Sequence, residues 1–391
     1  MAGSARIANP GCWPQGAIAT VRPLVEAGIL PADHPLTVHG ISGYTGGGRT
    51  MIADYEAAGE AASEFMPYGL TFRHKHLPEL QTYARLEKPP LFTPAVGNFA
   101  QGMITMVPLQ LWALPRVPTG RDLHAAIADH FATIRGGFVE VAPLLDAERT
   151  PELDPELYNG TNRMRLHVFA SDAKAQAARI AGSARIANPG CWPQGAIATV
   201  RPLVEAGLLP ADHPVTVHGI SGYTGGGRTM IADYEAAGED ASEFMPYGLT
   251  FKHKHLPELQ TYARLEKPPL FTPAVGNFAQ GMITMVPLQL WALPKVPTGR
   301  DLHAAIADHF ATIRGGFVEV APLLDAERTP ELDPELYNGT NRMRLHVFAS
   351  DAKAQAVLVA VYDNLGKGAS GAAVQNLNLM LGVAEDTSLA A

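Results

Sequence analysis

Between Gly16 and Gly28 the segment GAIATVRPLVEAG sets apolar residues at 18, 21, 24 and 25 and stops on a glycine. That spacing predicts a helix with one buried face, despite Pro23. LTVHGIS (36–42) reads as a strand, MIADYEAAGEAASEF (51–65) as a helix and MITMVPLQLWAL (103–114) as a long strand. TGRDLHAAIADHFATIRGG (119–137) opens on a threonine suited to capping and continues as a second clear helix. RMRLHVFASD (163–172) is a further strand. Several strands with few helices between them predict an α+β fold, a sheet covered by helices on one face.

The pattern is written twice. Residues 3–177 recur as residues 182–356, differing at five positions: Ile29/Leu208, Leu36/Val215, Ala61/Asp240, Arg73/Lys252 and Arg116/Lys295. The period is far longer than a solenoid unit, so each copy is expected to be a domain: 1–177, truncated at its C-terminus, and 178–391, which alone carries the tail 357–391. Ala178–Ala181 joins them without a Gly/Ser spacer, and the repeat fits a natural tandem duplication or an assembled sequence equally.

Composition narrows the function classes. The 391 residues are 47% hydrophobic, enough for ordinary cores, and a net charge of -8 offers no basic surface for nucleic acid. No apolar run approaches the roughly 20 residues that cross a bilayer, and MAGSARIANPG is not laid out as a signal peptide. A cytoplasmic protein without nucleic-acid or membrane partners is expected. The two cysteines, Cys12 and Cys191, are too few for a disulfide framework.

Both cysteines sit in IANPGCWPQGA, where a Pro-Gly turn meets a helix whose first turn accommodates Pro14. Unpaired N–H groups and the helix dipole there favour an anion and can draw a thiol pKa from about 8.5 toward neutrality. A small buried apolar residue is the plain alternative. FRHKHLPELQ places His74 and His76 two apart, repeated at His253 and His255; in an extended segment both rings share a face. They are a candidate base for the thiol, or a structural pair; no third ligand at a metal-like spacing accompanies them, and Glu79 reads as local polar support. HGISGYTGGGRT supplies Ser42, three glycines and Arg49, repeated with Ser221 and Arg228. Such a loop can cradle an anion or be merely flexible, and it lacks the Lys-Ser/Thr ending of a P-loop. In the tail, strand VLVAVYD leads through NLGKGASGAAVQN into a helix, and its glycines do not match a dinucleotide fingerprint.

Taken in order, NPGCWPQGAI, SGYTGGGR, HKHLPEL, FTPAVGNFAQGM, YNGTNRMRLHVF and DNLGKGASGAAVQNLNLM resemble the N-acetyl-γ-glutamyl-phosphate reductases, second subtype, of the semialdehyde dehydrogenase group. The resemblance covers nearly all of both copies and the tail; Gln15 departs from the threonine many members carry. It implies catalytic domains of the type that follows the nucleotide domain in glyceraldehyde-phosphate dehydrogenase. It also implies a reaction: a thiolate attacks N-acetylglutamyl phosphate, phosphate leaves, and the thioester accepts hydride from NADPH to yield the semialdehyde. Cys12 and Cys191 are then the nucleophiles, and His76 and His255, or else His74 and His253, the acid/base. Arg49, Arg228, Ser42 and Ser221 bind the substrate, while Gly366, Lys367, Gly368 and Ser370 lie on the cofactor side. Neither copy shows the N-terminal Rossmann unit of the family, so the NADP site is expected to be incomplete.

Three readings follow. The first is an arginine-pathway reductase, acting as a homo-oligomer or as an internal pseudo-dimer. The second is a non-catalytic interaction module or inactive fragment, and the third an acyl-phosphate or ester hydrolase that keeps the thiol without the hydride. The tail is further expected to dry the pocket around Cys191 while fixed donors and Lys367 lower its pKa, making Cys191 the more reactive thiolate.

Overall fold

The computed structural model describes residues 10–132, 137–144, 153–169, 188–311, 316–323, 332–381 and 383–390. The first helix, α1 (Cys12–Glu26), starts four residues earlier than its apolar spacing suggests, because Gly11 is extended (φ −65°, ψ 150°) and Pro14 fits the first turn. Trp13, Ala17, Val21 and Leu24 make its buried stripe, and Gly28 ends it at φ 67°. β1 (Thr37–Gly43) follows as expected. α2 (Arg49–Ala58) is shorter than MIADYEAAGEAASEF predicts: Gly59, at φ 55°, turns the chain into a 3-10 turn (Gly59–Ala61), and only the last residue of the stretch, Phe65, enters the next element, β2 (Phe65–Pro67). α3 (Leu77–Tyr83), β3 (Leu91–Gly97) and β4 (Met103–Met106) come next. α4 (Gly120–Ala132) is capped as its sequence implies, with Thr119 N and Asp122 Oδ2 2.8 Å apart and Asp122 N donating back to Thr119 Oγ1 at 3.3 Å. β5 (Val139–Val141) and β6 (Met164–Leu166) close the first copy's elements.

The second copy repeats them as α5 (Cys191–Glu205), β7 (Thr216–Gly222), α6 (Arg228–Ala237), β8 (Phe244–Pro246), α7 (Leu256–Tyr262), β9 (Leu270–Gly276), β10 (Met282–Gln289), α8 (Gly299–Ala311), β11 (Val318–Val320) and β12 (Met343–Ser350). It then adds β13 (Gln355–Tyr362) and α9 (Gly371–Leu381). β13 lies antiparallel between β10 and β12, with Met282 and Met343 both opposite Tyr362, and so completes a seven-stranded sheet β11-β12-β13-β10-β7-β9-β8. The described residues of the first copy form a four-stranded sheet, β2-β3-β1-β4, and a separate pair β5-β6. This corrects two sequence expectations. The strand expected over 103–114 holds eight residues in the second copy but four in the first, and the one expected over 163–172 holds 164–166 among the described residues, 170–172 lying outside them, whereas its counterpart in the second copy runs over 343–350. A strand's length is set by its neighbour as well as by its own residues.

Helices cover one face of the sheet and the other copy covers the opposite face. In β13, Ala356, Leu358, Ala360 and Tyr362 point to α5 and α8, while Val357, Val359 and Val361 join a core shared with Ile41, Phe65 and Phe72 of the first copy. Contacts between the copies are reciprocal, as an isologous twofold requires. His39 stacks on His218 with centroids 4.2 Å apart, and their Nε2 atoms lie 3.3 Å from Thr272 and Thr93 respectively. Lys88 lies over Trp291 and Lys267 over Trp112. Burial holds the His39 imidazole down at about 3 and His218 well below its ordinary value, so the stack is uncharged at neutral pH. Among the described residues no helix is long and apolar enough to cross a membrane.

Candidate active site

Each cysteine is the first residue of its helix, and the turn before it is held from a distance. Gly11 N–H donates to both carboxylate oxygens of Glu79 at 3.1 and 3.2 Å, and Gly190 N–H to those of Glu258 at 3.1 and 3.3 Å. Trp13 and Trp192, next in sequence, are buried against Phe92 and Phe271 and anchor the helix start. Glu79 therefore does more than give local support: it fixes the cysteine turn across 68 residues of sequence.

The second histidine of each pair reaches that same turn. A Cβ placed on Gly11 would stand 2.5 Å from His76 Nε2, and one on Gly190 2.3 Å from His255 Nε2, so only glycine leaves room for the ring beside the cysteine. The pair is not in an extended segment, as expected from sequence. His76 and His255 have helical dihedrals (φ −84°, ψ −11° and φ −82°, ψ −11°) and cap α3 and α7, so the rings meet edge to face at 4.7 Å. His74 Nδ1 accepts the N–H of His76 at 3.2 Å and its ring packs on Phe92, with the same arrangement at His253 and His255. The first histidine is thus tied down and braces the second. Burial, followed by neighbouring positive charge, lowers His74, His253 and His255 to about 4, and His76 also falls. At neutral pH these imidazoles are bases.

The tail shapes the second site only. Tyr362 hydroxyl donates to Cys191 C=O at 2.7 Å, accepts Gly195 N–H at 3.1 Å and lies 3.1 Å from Thr284 Oγ1. Gly366–Ser370 forms a π turn over the cysteine: a Cβ on Gly368 would stand 3.0 Å from Cys191 Cβ, and Asn188 Nδ2 donates to Ala369 C=O at 2.8 Å. Asn364 ties the tail to the glycine loop, its Nδ2 donating to Thr224 Oγ1 at 3.0 Å. Sequence reasoning did not single out Tyr362 or Asn364.

The tail covers Cys191 as expected, but the lowered thiol pKa expected there is not found. Burial pushes its thiol up, and the N–H groups of Trp192 and Cys191 and the charge of Lys254 oppose that without outweighing it. Lys367 is not the cation that acts there: its Nζ donates to Gln375 Oε1 at 2.6 Å, and burial lowers it to about 8. Gly366, Gly368 and Ser370 are likewise occupied within the chain, Gly366 against Thr340 C=O and Ser370 Oγ bonded to Leu365 C=O.

Cys12, Ser42, Thr45 and Gly46 line one cavity of about 1630 Å³ that lies between the first copy and residues 249–272 of the second. Ser42 and Ser221 are buried at the ends of β1 and β7, each donating to the next glycine's C=O. Arg49 and Arg228 open α2 and α6 on the exposed surface; Arg49, His74 and His76 do not line the cavity. The structure therefore groups the cysteine with the second histidine through the turn, and with the serine and glycine loop through the cavity.

The family model for the semialdehyde dehydrogenase dimerisation domain matches residues 12–183 and again 191–364. An N-acetyl-gamma-glutamyl-phosphate reductase of Mesorhizobium japonicum is 64% identical over 244 residues, covering 62% of this chain and 79% of that protein. The chain belongs to the N-acetyl-gamma-glutamyl-phosphate reductase family. The enzyme of that name from a Chelativorans species is 71% identical over 213 residues, 54% of this chain and 69% of the relative. Among solved structures, aspartate semialdehyde dehydrogenase II from Vibrio cholerae is similar at 15% identity with a TM-score of 0.36, over 50% of this chain and 62% of that one. The reductase family accounts for a mixed α+β fold with helices on one sheet face, and makes the chain a member of an oxidoreductase group of arginine biosynthesis.

Proposed function

We propose that the chain carries out cysteine acyl transfer from N-acetylglutamyl phosphate at Cys191, the first half of the reductase reaction. The supporting observation is the imidazole of His255 against the glycine that immediately precedes a helix-terminal cysteine. His255, neutral at pH 7, takes the thiol proton directly or through one water. The thiolate attacks the acyl carbon, the carbon–oxygen bond to phosphate breaks, and a thioester forms while phosphate leaves with the electron pair. N–H groups of Cys191 and Trp192 hold the sulfur, and the start of α5 favours the negative charge that develops beside it. Ser221 and Arg228 are the proposed substrate contacts, with His253 as a positioning residue. Residues 1–177 and 178–391 are read as two catalytic and dimerisation domains joined as an internal pseudo-dimer.

NADPH, when bound, supplies the hydride that reduces a thioester in this reading. The described residues do not fit a cradle for it, because the tail glycines pack on Thr340, Cys191 and Asn341 and leave no open turn. No step is therefore assigned through the nucleotide.

Phosphate release and NADPH absorbance, followed together on adding N-acetylglutamyl phosphate, test the proposal. Both changes, lost in Cys191→Ser, support the reductase. Phosphate release alone supports acyl transfer to water, and neither change supports the interaction module that the reciprocal copy-to-copy contacts favour.

A further inference from the structure

Acyl transfer develops negative charge on the acyl oxygen, and that oxygen needs a donor not already held by another group. The start of α5 is short of them. Pro193 has no N–H, and Gly195 N–H is given to the Tyr362 hydroxyl at 3.1 Å. The N–H groups of Cys191 and Trp192 are turned to the thiol sulfur. Polar side chains around the cysteine are engaged within the chain. Asn188 Nδ2 donates to Ala369 C=O at 2.8 Å, Asn364 Nδ2 to Thr224 Oγ1 at 3.0 Å, Ser221 Oγ to Gly222 C=O at 3.1 Å and Lys367 Nζ to Gln375 Oε1 at 2.6 Å. Lys254 and Arg228 are exposed.

Gln194 differs from all of these. Its Nε2 is buried and has no hydrogen-bond partner among the described residues. An unpaired buried amide costs free energy that the chain's own contacts do not return, so the group calls for a partner from outside the folded chain. Its position says where that partner sits. Gln194 follows Cys191 by three residues on α5, which makes the two side chains neighbours along the helix surface. Side chains in a helix lean toward its N-terminus, over the preceding turn. The amide is therefore carried toward the cysteine, at the helix end that the Gly366–Ser370 turn covers.

We propose that Gln194 is a further catalytic residue, its Nε2–H donating to the acyl oxygen of the acyl phosphate as Cys191 attacks; the role rests on the acyl-transfer reading above. As the bond from Cys191 Sγ to the acyl carbon forms, the carbonyl π pair moves onto oxygen, and the Gln194 amide holds that charge. The pair then returns, the carbon–oxygen bond to phosphate breaks, and phosphate leaves with the bonding electrons. Gln194 keeps its hydrogen throughout. Because the donor is already unpaired and in place, it gives up no bond when the charge appears, so its effect falls on the transition state more than on substrate binding.

Single-turnover acylation by N-acetylglutamyl phosphate tests the role, in the full chain carrying Cys12→Ser so that Cys191 alone reacts. Phosphate release and the mass of fragment 186–228 follow the acyl step. Alkylation by iodoacetamide follows the same thiol in a reaction that develops no oxyanion. Gln194→Met, which keeps the side chain's length without its donor, and Gln194→Leu should each slow acylation about a hundredfold and leave the half-saturating substrate concentration within about twofold. Alkylation should be unchanged, and the melting temperature should not fall, since each variant removes an unpaired buried donor. That pattern supports the proposal. Equal slowing of acylation and alkylation, the mark of a structural role, overturns it, and so does a loss confined to substrate binding. Unchanged acylation in both variants overturns this role alone, whereas no acylation before Gln194 is altered overturns the acyl-transfer reading and this role with it.

Discussion

Replacing Tyr362 by phenylalanine removes one oxygen that touches three groups at the start of α5 and on β10. The side chain is fully buried, and the hydroxyl lies 2.7 Å from Cys191 C=O, 3.1 Å from Gly195 N and 3.1 Å from Thr284 Oγ1. Cys191 C=O and Gly195 N–H stand four residues apart on the helix and can satisfy each other. Thr284 has no such partner, so the cost is that of one stranded buried hydroxyl, about 1–3 kcal/mol, rather than three. The loss falls locally on the tail's seal over Cys191. If alkylation requires that seal to open, its rate should rise about tenfold per 1.4 kcal/mol. Limited labelling followed by mass measurement of fragments 7–49 and 186–228 separates the cysteines, because the fragments differ by a methylene at Leu36 and Val215. Labelling of Cys191 should rise roughly fivefold to a hundredfold while Cys12 stays constant. An unchanged Cys191 rate, or equal acceleration at both cysteines, would refute the reasoning.

Gly190→Ala should cost acyl transfer at least about tenfold, since the added methyl meets His255 Nε2 while φ −68° suits any residue. Phosphate release measures it, and full activity would show that the imidazole does not need that position. Glu64 is held up at about 7, first by burial and then by Glu243, its symmetry mate across the copies. Its unfolded value is near 4.5, so the proton it keeps stabilises the fold fully below pH 4.5, and that contribution is lost as pH rises through 7. Glu64→Gln should therefore flatten the pH dependence of the urea midpoint between pH 5 and 8 and raise the midpoint at pH 8; an unchanged profile would place no shared proton there.

Much of the fold was legible because local chemistry and tertiary context agree. Gly28 ends α1, the Thr119–Asp122 cap opens α4, and VLVAVYD becomes a fully buried strand. What escaped depended on partners distant in sequence. LFTPAVG carries Pro94 and no alternation, yet it is a strand buried on both faces beside β1. Four residues of MITMVPLQLWAL pair where β13 is not alongside, against eight where it is. At the site, the cysteine's place on a helix was readable from Pro-Gly-Cys-Trp-Pro, but the carboxylate holding that turn lies 68 residues away and Tyr362 lies 171 residues from Cys191. The sign of the Cys191 shift was unreadable for the same reason, since desolvation comes from the tail and helix packing around it.

The central claim is a covalent acyl-enzyme at Cys191, and mass measurement of the chain after brief exposure to N-acetylglutamyl phosphate without reductant tests it most directly. After acid quench and digestion, the account predicts one N-acetylglutamyl group on the fragment 186–228, removed by hydroxylamine as a thioester is. No adduct, or an adduct that persists in Cys191→Ser, would contradict it.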